Sequence, residues 1–131
     1  MLLRCHATHC RSADNPYLFN GDFVDRGSWS VEVIVTLLAY LVLEPMSVNL
    51  NRGNHETLNM NRVYGFTGEV AAKFSGKTFP LFTELFCALP LGHCIGGKVL
   101  VVHGGLFSQD GVSPVRTRLA HTLRVLTCIS L

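Results

Sequence analysis

The chain has 131 residues, 48% of them hydrophobic, with a formal net charge of +2. That length supports one domain with a real core, and so small a charge argues against nucleic-acid or membrane-surface partners. An odd count of five cysteines and the lack of a secretory apolar segment favour reduced thiols and a cytosolic or nuclear setting, while a mean hydropathy of +0.31 is high for a freestanding soluble domain.

In chain order, Cys5-His6-Ala7-Thr8-His9-Cys10 tempts a zinc reading, but structural zinc sites separate two ligand pairs by a loop, so Met1–Asp14 reads as an N-terminal tail. Tyr17-Leu18-Phe19 is a short strand-like run that leads into Asn20-Gly21-Asp22. Trp29 to Leu43 is the longest apolar stretch and reads as a helix, with Ser28 as N-cap and Pro45 just past its end. It is shorter than the about 20 residues a membrane span needs. Being apolar almost all round, it is expected to be buried between the sheet and another layer.

Ser47 to Leu50 is a second strand-like run, followed by Asn51-Arg52-Gly53-Asn54-His55-Glu56. Thr78 to Leu89 reads as a helix interrupted early by Pro80, with Phe82, Leu85, Phe86 and Leu89 on one face. Leu91 to Ile95 and Lys98 to Val102 read as a β-hairpin around Gly96-Gly97, because glycine accepts the positive φ such turns need, and His103 stands at its exit. Cys87 and Cys94 are expected to be core or hairpin residues. None of the five cysteines sits in the glycine-rich, arginine-ended loop of a nucleophilic cysteine phosphatase. Ser113 to Leu131 is compatible with an amphipathic helix, capped by Ser113, with Pro114 at its first position and Leu119, Leu123, Leu126 and Ile129 along one side. Its readings are a docking or membrane-surface helix, or a frayed tail.

Three of these runs share a design: each stops at a glycine-flanked residue able to ligate a metal, namely Asp22, Asn54 and His103. In open α/β proteins the crevice beyond the carboxyl ends of the strands is where ligands bind. A carboxylate, an amide carbonyl and an imidazole form a mixed oxygen and nitrogen set suited to Mn, Fe, Zn or Mg. Arg26 offers a planar fork for a phosphate, His55 can deliver a proton to a leaving group, and Asp25 can hold that histidine in the right tautomer. Together these residues argue for phosphoester hydrolysis by an activated water.

Gly21-Asp22-Phe23-Val24-Asp25-Arg26-Gly27, Arg52-Gly53-Asn54-His55-Glu56 and His103-Gly104-Gly105-Leu106 resemble, in order, the G-D-x-V-D-R-G, R-G-N-H-E and H-G-G-L motifs of the PPP-family serine/threonine protein phosphatases. The text between them, including Asn59-Met60-Asn61 and Tyr64-Gly65-Phe66-Thr67-Gly68-Glu69-Val70, is similar in particular to the type-five members, and the resemblance covers about Asn15 to Val112. It implies an α/β, calcineurin-like metallophosphoesterase fold, a β-sandwich flanked by helices, and hydrolysis of phosphoserine and phosphothreonine in phosphoprotein substrates without a covalent phosphoenzyme. It also implies two divalent metal ions, with Asp22 bridging them and Asn54 and His103 on the second. Arg26 would hold substrate phosphate, His55 paired with Asp25 would protonate the leaving alkoxide, and Tyr64 would lie near the substrate groove.

The departures carry expectations of their own. No G-D-x-H-G precedes the first motif in Met1–Asp14, and the family's second phosphate-binding arginine and last metal-binding histidine have no counterpart after Val112. The expected organisation is therefore an unmatched segment 1–14, a partial phosphatase domain 15–112 truncated at both ends, and an unmatched segment 113–131. Such a chain is expected to hold at most one metal weakly and to show little activity by itself. The helical-repeat chaperone-binding domain of type-five phosphatases is likewise expected to be absent. The rival readings are a catalytically silent binding protein and a different metallophosphoesterase.

Overall fold

The computed structural model describes residues 15–104 and the strand Leu126–Ile129. Strand β1 (Tyr17–Phe19) pairs in parallel with β2 (Val48–Leu50), Tyr17 opposite Val48 and Phe19 opposite Leu50. Helix α1 (Ser30–Leu43) makes the crossover that parallel strands require. Helices α2 (Leu58–Tyr64), α3 (Phe66–Lys73) and α4 (Phe79–Ala88) follow. The antiparallel hairpin of β3 (Gly92–Ile95) and β4 (Val99–Val102) then joins β5 (Leu126–Ile129) in a three-stranded sheet of order β4-β3-β5. The α/β class is as expected, and in place of the expected β-sandwich the described residues form a two-stranded and a three-stranded sheet, with Gly96 and Gly97 at φ 55° and 66° turning the hairpin.

The core is built where α1, α3 and α4 meet β2. Val31, Ile34 and Leu37 of α1 and Val48 and Leu50 of β2 are buried together with Phe66, Val70, Phe82, Phe86 and Leu89. Phe66 is the aromatic centre, its ring 5.2 Å from Phe82, 5.7 Å from Phe86 and 6.3 Å from Phe79. Helices α2 and α3 escape a periodicity reading because each spans two turns or so, and they are divided at Gly65, whose φ of 108° no other residue adopts readily.

Several expectations change on folding. Trp29, not Ser28, is the residue before α1, and no side chain of its own caps the helix. The acceptor comes from α3 instead, where Glu69 Oε1 takes the Val31 N–H at 2.8 Å and Lys73 ties Glu69 to Glu32. Helix α1 is buried along one stripe only: Val33, Val35, Val42 and Leu43 are exposed, since the described residues cover one face of it. Pro80 starts α4 rather than interrupting it, because first-turn N–H groups have no helical partner to lose. Within that helix Leu85 is only partly buried, and Cys87 is exposed on it while Cys94 lies in the hairpin.

Neither the helix nor the frayed-tail reading of Ser113–Leu131 holds at Leu126–Ile129, which is a strand parallel to β3, Gly92 opposite Leu126 and Ile95 opposite Ile129. A free strand edge offers a row of backbone partners, and a Leu-Thr-Cys-Ile run with two β-branched residues takes them. The remainder of that segment, and the cysteine and histidine cluster at residues 5–10, lie outside the described residues. Among the described residues no helix is long and apolar enough to cross a membrane.

Candidate active site

Strands β1, β2 and β4 deliver their exits to one cleft. After β1 the backbone enters left-handed geometry four times, at Gly21 (φ 82°), Asp22 (58°), Asp25 (74°) and Arg26 (58°). Each non-glycine case costs about 1–3 kcal/mol and persists only where surrounding bonds impose it. Glu56 is fully buried and its carboxylate accepts the N–H groups of Asp22 (2.8 Å), Phe23 (2.7 Å) and Gly53 (2.8 Å). Asp22 Oδ1 accepts the His55 N–H at 3.0 Å, and Arg26 N–H donates to the Tyr64 carbonyl at 3.3 Å. One side chain thus clamps the loop after β1 to the loop after β2. The two loops approach so closely that a Cβ on Gly21 would lie 2.6 Å from the backbone of Gly53 and 2.7 Å from the His103 ring.

His103 follows β4 and points its ring into the same cleft. Its Nδ1–H donates to the Asn20 carbonyl, since a carbonyl can only accept, and this leaves Nε2 with a lone pair. That Nε2 stands 3.2 Å from Asn54 Oδ1 and 3.3 Å from Asp22 Oδ2. Three electron-rich atoms facing one another fit a cation. Ligands about 2.1 Å from a metal and about 90–109° apart are separated by about 3.0–3.4 Å, which brackets both distances. Among the described residues no group of three or more His, Cys, Asp and Glu side chains is placed to hold a metal; the set that converges counts an amide among its three.

Beside that set lies an acid–base pair. The His55 ring is buried, with Nδ1 2.8 Å from the buried carboxylate of Asp25 and Nε2 2.8 Å from Arg26 Nη2. Arginine can only donate, so Nε2 accepts and Nδ1–H donates to Asp25. Asp25 is itself fixed from two sides: its Oδ1 takes the Phe66 N–H at 3.0 Å, and its Oδ2 takes an Asn61 amide N–H at 3.1 Å. Phe66 therefore roots the aromatic core and holds the orienting carboxylate through its backbone. Tyr64 closes the cleft, its ring edge-on to His55 at 5.2 Å and under the Arg26 guanidinium at 5.4 Å. Asp22, Arg26 and Asn54 remain exposed.

All seven residues singled out in the sequence, Asp22, Asp25, Arg26, Asn54, His55, Tyr64 and His103, are brought together. Sequence reasoning assigned nothing to Glu56, Asn61, Asn20, Asn51 or His93, each of which holds a site loop in place. Asn20 and Asn51 offered a weak signal, as polar residues one step past two strand-like runs, whereas Glu56 and Asn61 offered none, their burial being a property of the fold.

His93 contributes a pH dependence. Burial lowers its pKa below the ordinary 6.5, so the unfolded chain takes up its proton at higher pH than the folded chain does. This part of the stability is complete above pH 6.5 and is lost as pH falls below it toward the depressed folded value. Urea midpoints are expected to drop between pH 7.5 and 5.5, and the drop should shrink in His93→Gln. An unchanged drop in that variant would place its origin elsewhere.

A model of the calcineurin-like phosphoesterase family matches residues 2–126. The chain belongs to that family. The calcineurin-like match extends beyond 15–112 at both ends, and this chain is 64% identical over 101 residues to serine/threonine-protein phosphatase 5 of Arabidopsis thaliana, covering 77% of the chain and 19% of the relative. It is 62% identical over 102 residues to serine/threonine-protein phosphatase 5 of Homo sapiens, covering 78% of the chain and 20% of the relative. Against serine/threonine-protein phosphatase T of Schizosaccharomyces pombe the identity is 61% over 102 residues, with 78% and 22% covered. A solved structure of a Saccharomyces cerevisiae serine/threonine phosphatase similar to human phosphatase 5 superposes with a TM-score of 0.70 at 49% identity, over 74% of this chain and 31% of that one. The chain spans about a fifth of the length of the curated relatives it matches. Calcineurin-like phosphoesterases generally use divalent metals.

Proposed function

We propose that this chain carries the catalytic cleft of an enzyme that hydrolyses phosphoserine and phosphothreonine in proteins. The observation that carries the reading is the convergence of His103 Nε2, Asn54 Oδ1 and Asp22 Oδ2 next to the Asp25–His55–Arg26 chain. Asp22, Asn54 and His103 would hold a divalent ion, with Mn, Fe, Zn and Mg all compatible with this donor set. Divalent ions at such a site make water acidic enough to attack at neutral pH and offset charge on the phosphoryl oxygens.

The chain's own residues supply the rest. The exposed side chain of Arg26 moves from His55 Nε2 to the incoming phosphate, where its fork pairs two oxygens. That movement frees Nε2 to carry a proton toward the leaving serine or threonine oxygen. Asp25, held by Phe66 and Asn61, keeps the ring oriented with Nε2 toward the cleft. Tyr64 lines the side of the cleft that the peptide would approach. A cytosolic or nuclear setting suits such phosphoprotein substrates.

The test is Mn²⁺ titration of the chain by calorimetry, followed by phosphate release from a phosphoserine peptide in a full-length relative carrying residues 15–104 of this chain in place of its own. Asp22→Asn is expected to weaken Mn²⁺ binding by at least about 10- to 100-fold, the cost of losing even an outer partner of a metal ligand. Equal affinity in the variant would remove Asp22 from the metal set.

A further inference from the structure

The cleft depends on how His103 is turned, and His103 is turned by a polar chain, buried at Asn51 and His93, that no motif contains. Asn51 is fully buried and His93 is 2% exposed. Asn51 Nδ2 donates to Asn20 Oδ1 at 2.7 Å and to the Val101 carbonyl at 3.2 Å. Both of its N–H bonds are thereby used, so Asn51 Oδ1 is the acceptor for His93 Nδ1–H at 2.6 Å. Asn20 in turn donates from Nδ2 to the Val102 carbonyl at 3.1 Å, and its own carbonyl receives His103 Nδ1–H. The backbone N–H of Asn51 donates to the Phe19 carbonyl at 2.9 Å.

We infer that His93 and Asn51 are positioning residues for the metal set, acting through Asn20 on His103; the inference rests on the metal reading above. Asn51 is the node at which β1, β2, β3 and β4 are pinned to one another, since its partners come from the exit of β1, from β3 and from β4. Burying two polar side chains is unfavourable unless every donor finds an acceptor, and here each hydrogen bond falls at a strand end that carries a site residue. Fixing Asn20 against Val102 directly, and against Val101 through Asn51, sets the distance between its carbonyl and the His103 ring. That bond selects the Nδ1–H tautomer and leaves Nε2 bare toward Asp22 and Asn54. Orientation of a ligating imidazole through its other nitrogen is how such partners tune a metal site, and their loss commonly costs about 10- to 100-fold in affinity.

The experiment compares the full chain with Asn51→Leu, His93→Leu and His93→Gln by two readouts. Nitrogen-15 spectra of the imidazoles at pH 8.5 without metal report the His103 tautomer, and the visible absorption of added Co²⁺ reports affinity. Asn51→Leu and His93→Leu are expected to mix the His103 tautomers and to weaken Co²⁺ by about 10- to 100-fold. His93→Gln keeps an N–H donor within reach of Asn51 Oδ1 and is expected to restore both readouts, which a merely packing role for His93 would not do. If Asn51→Leu does not fold, the two His93 variants decide. A parental tautomer and parental Co²⁺ affinity in His93→Leu would overturn the inference while leaving the metal reading intact. A chain that binds no Co²⁺, yet whose His103 tautomer responds to these changes, would overturn the metal reading and leave the positioning role standing.

Discussion

Replacing Glu56 by alanine is expected to cost about 3–5 kcal/mol of folding stability, because three N–H groups, of Asp22, Phe23 and Gly53, lose their shared acceptor. The residue is fully buried, so water does not readily substitute. Leaving one buried donor unmet costs about 1–3 kcal/mol, and domains of this size have about 5–15 kcal/mol in total. The loss should be local as well as global. Without the clamp nothing on that side holds Asp22 in its left-handed conformation, and the metal set opens even in molecules that stay folded. Glu56→Gln keeps one acceptor oxygen but presents an amide N–H to backbone donors, and should fall between parent and alanine variant. Urea unfolding followed by circular dichroism measures the first effect, and Mn²⁺ titration under folding conditions measures the second. A Glu56→Ala chain within about 1 kcal/mol of the parent would show that the two loops are held by something other than this carboxylate.

Removing His55 should act on rate rather than on binding. In a full-length relative carrying residues 15–104 of this chain in place of its own, His55→Ala is expected to lower kcat about 100- to 10,000-fold on a phosphoserine peptide. KM should change far less, because a general acid interacts with the leaving oxygen chiefly as the bond breaks. Arg26→Ala should impair both parameters, since a phosphate clamp is engaged before and during the reaction. The geometry adds a finer expectation. Arg26 and His55 are bonded at 2.8 Å, so deleting the ring also frees Arg26, and the double variant should lose less than the sum of the single losses. Equal kcat for His55→Ala and its parent would take His55 out of the proton transfer.

Much of this cleft was legible before folding because its chemistry is local. Gly21-Asp22, Gly53-Asn54 and Val102-His103 each place a ligand one bend beyond an apolar run, and the strand period and glycine's freedom are properties of the run itself. The hairpin around Gly96-Gly97 and the long helix were legible for the same reason, since backbone preference and periodicity act over a few residues. What needed the tertiary structure was anything decided by a partner distant in the chain. Glu69 replaced Ser28 as the cap of α1 because it lies on a helix that packs there. Leu126–Ile129 became a strand because β3 offered an edge, although its spacing suited a helix equally well. Glu56, Asn61, Asn51 and His93 carry no periodic signature, because a buried polar residue is specified by what it touches and those contacts span 42 residues from Asn51 to His93. The identities of the ligands are written along the chain; their separations of 3.2 and 3.3 Å exist only once three strand ends are pinned together.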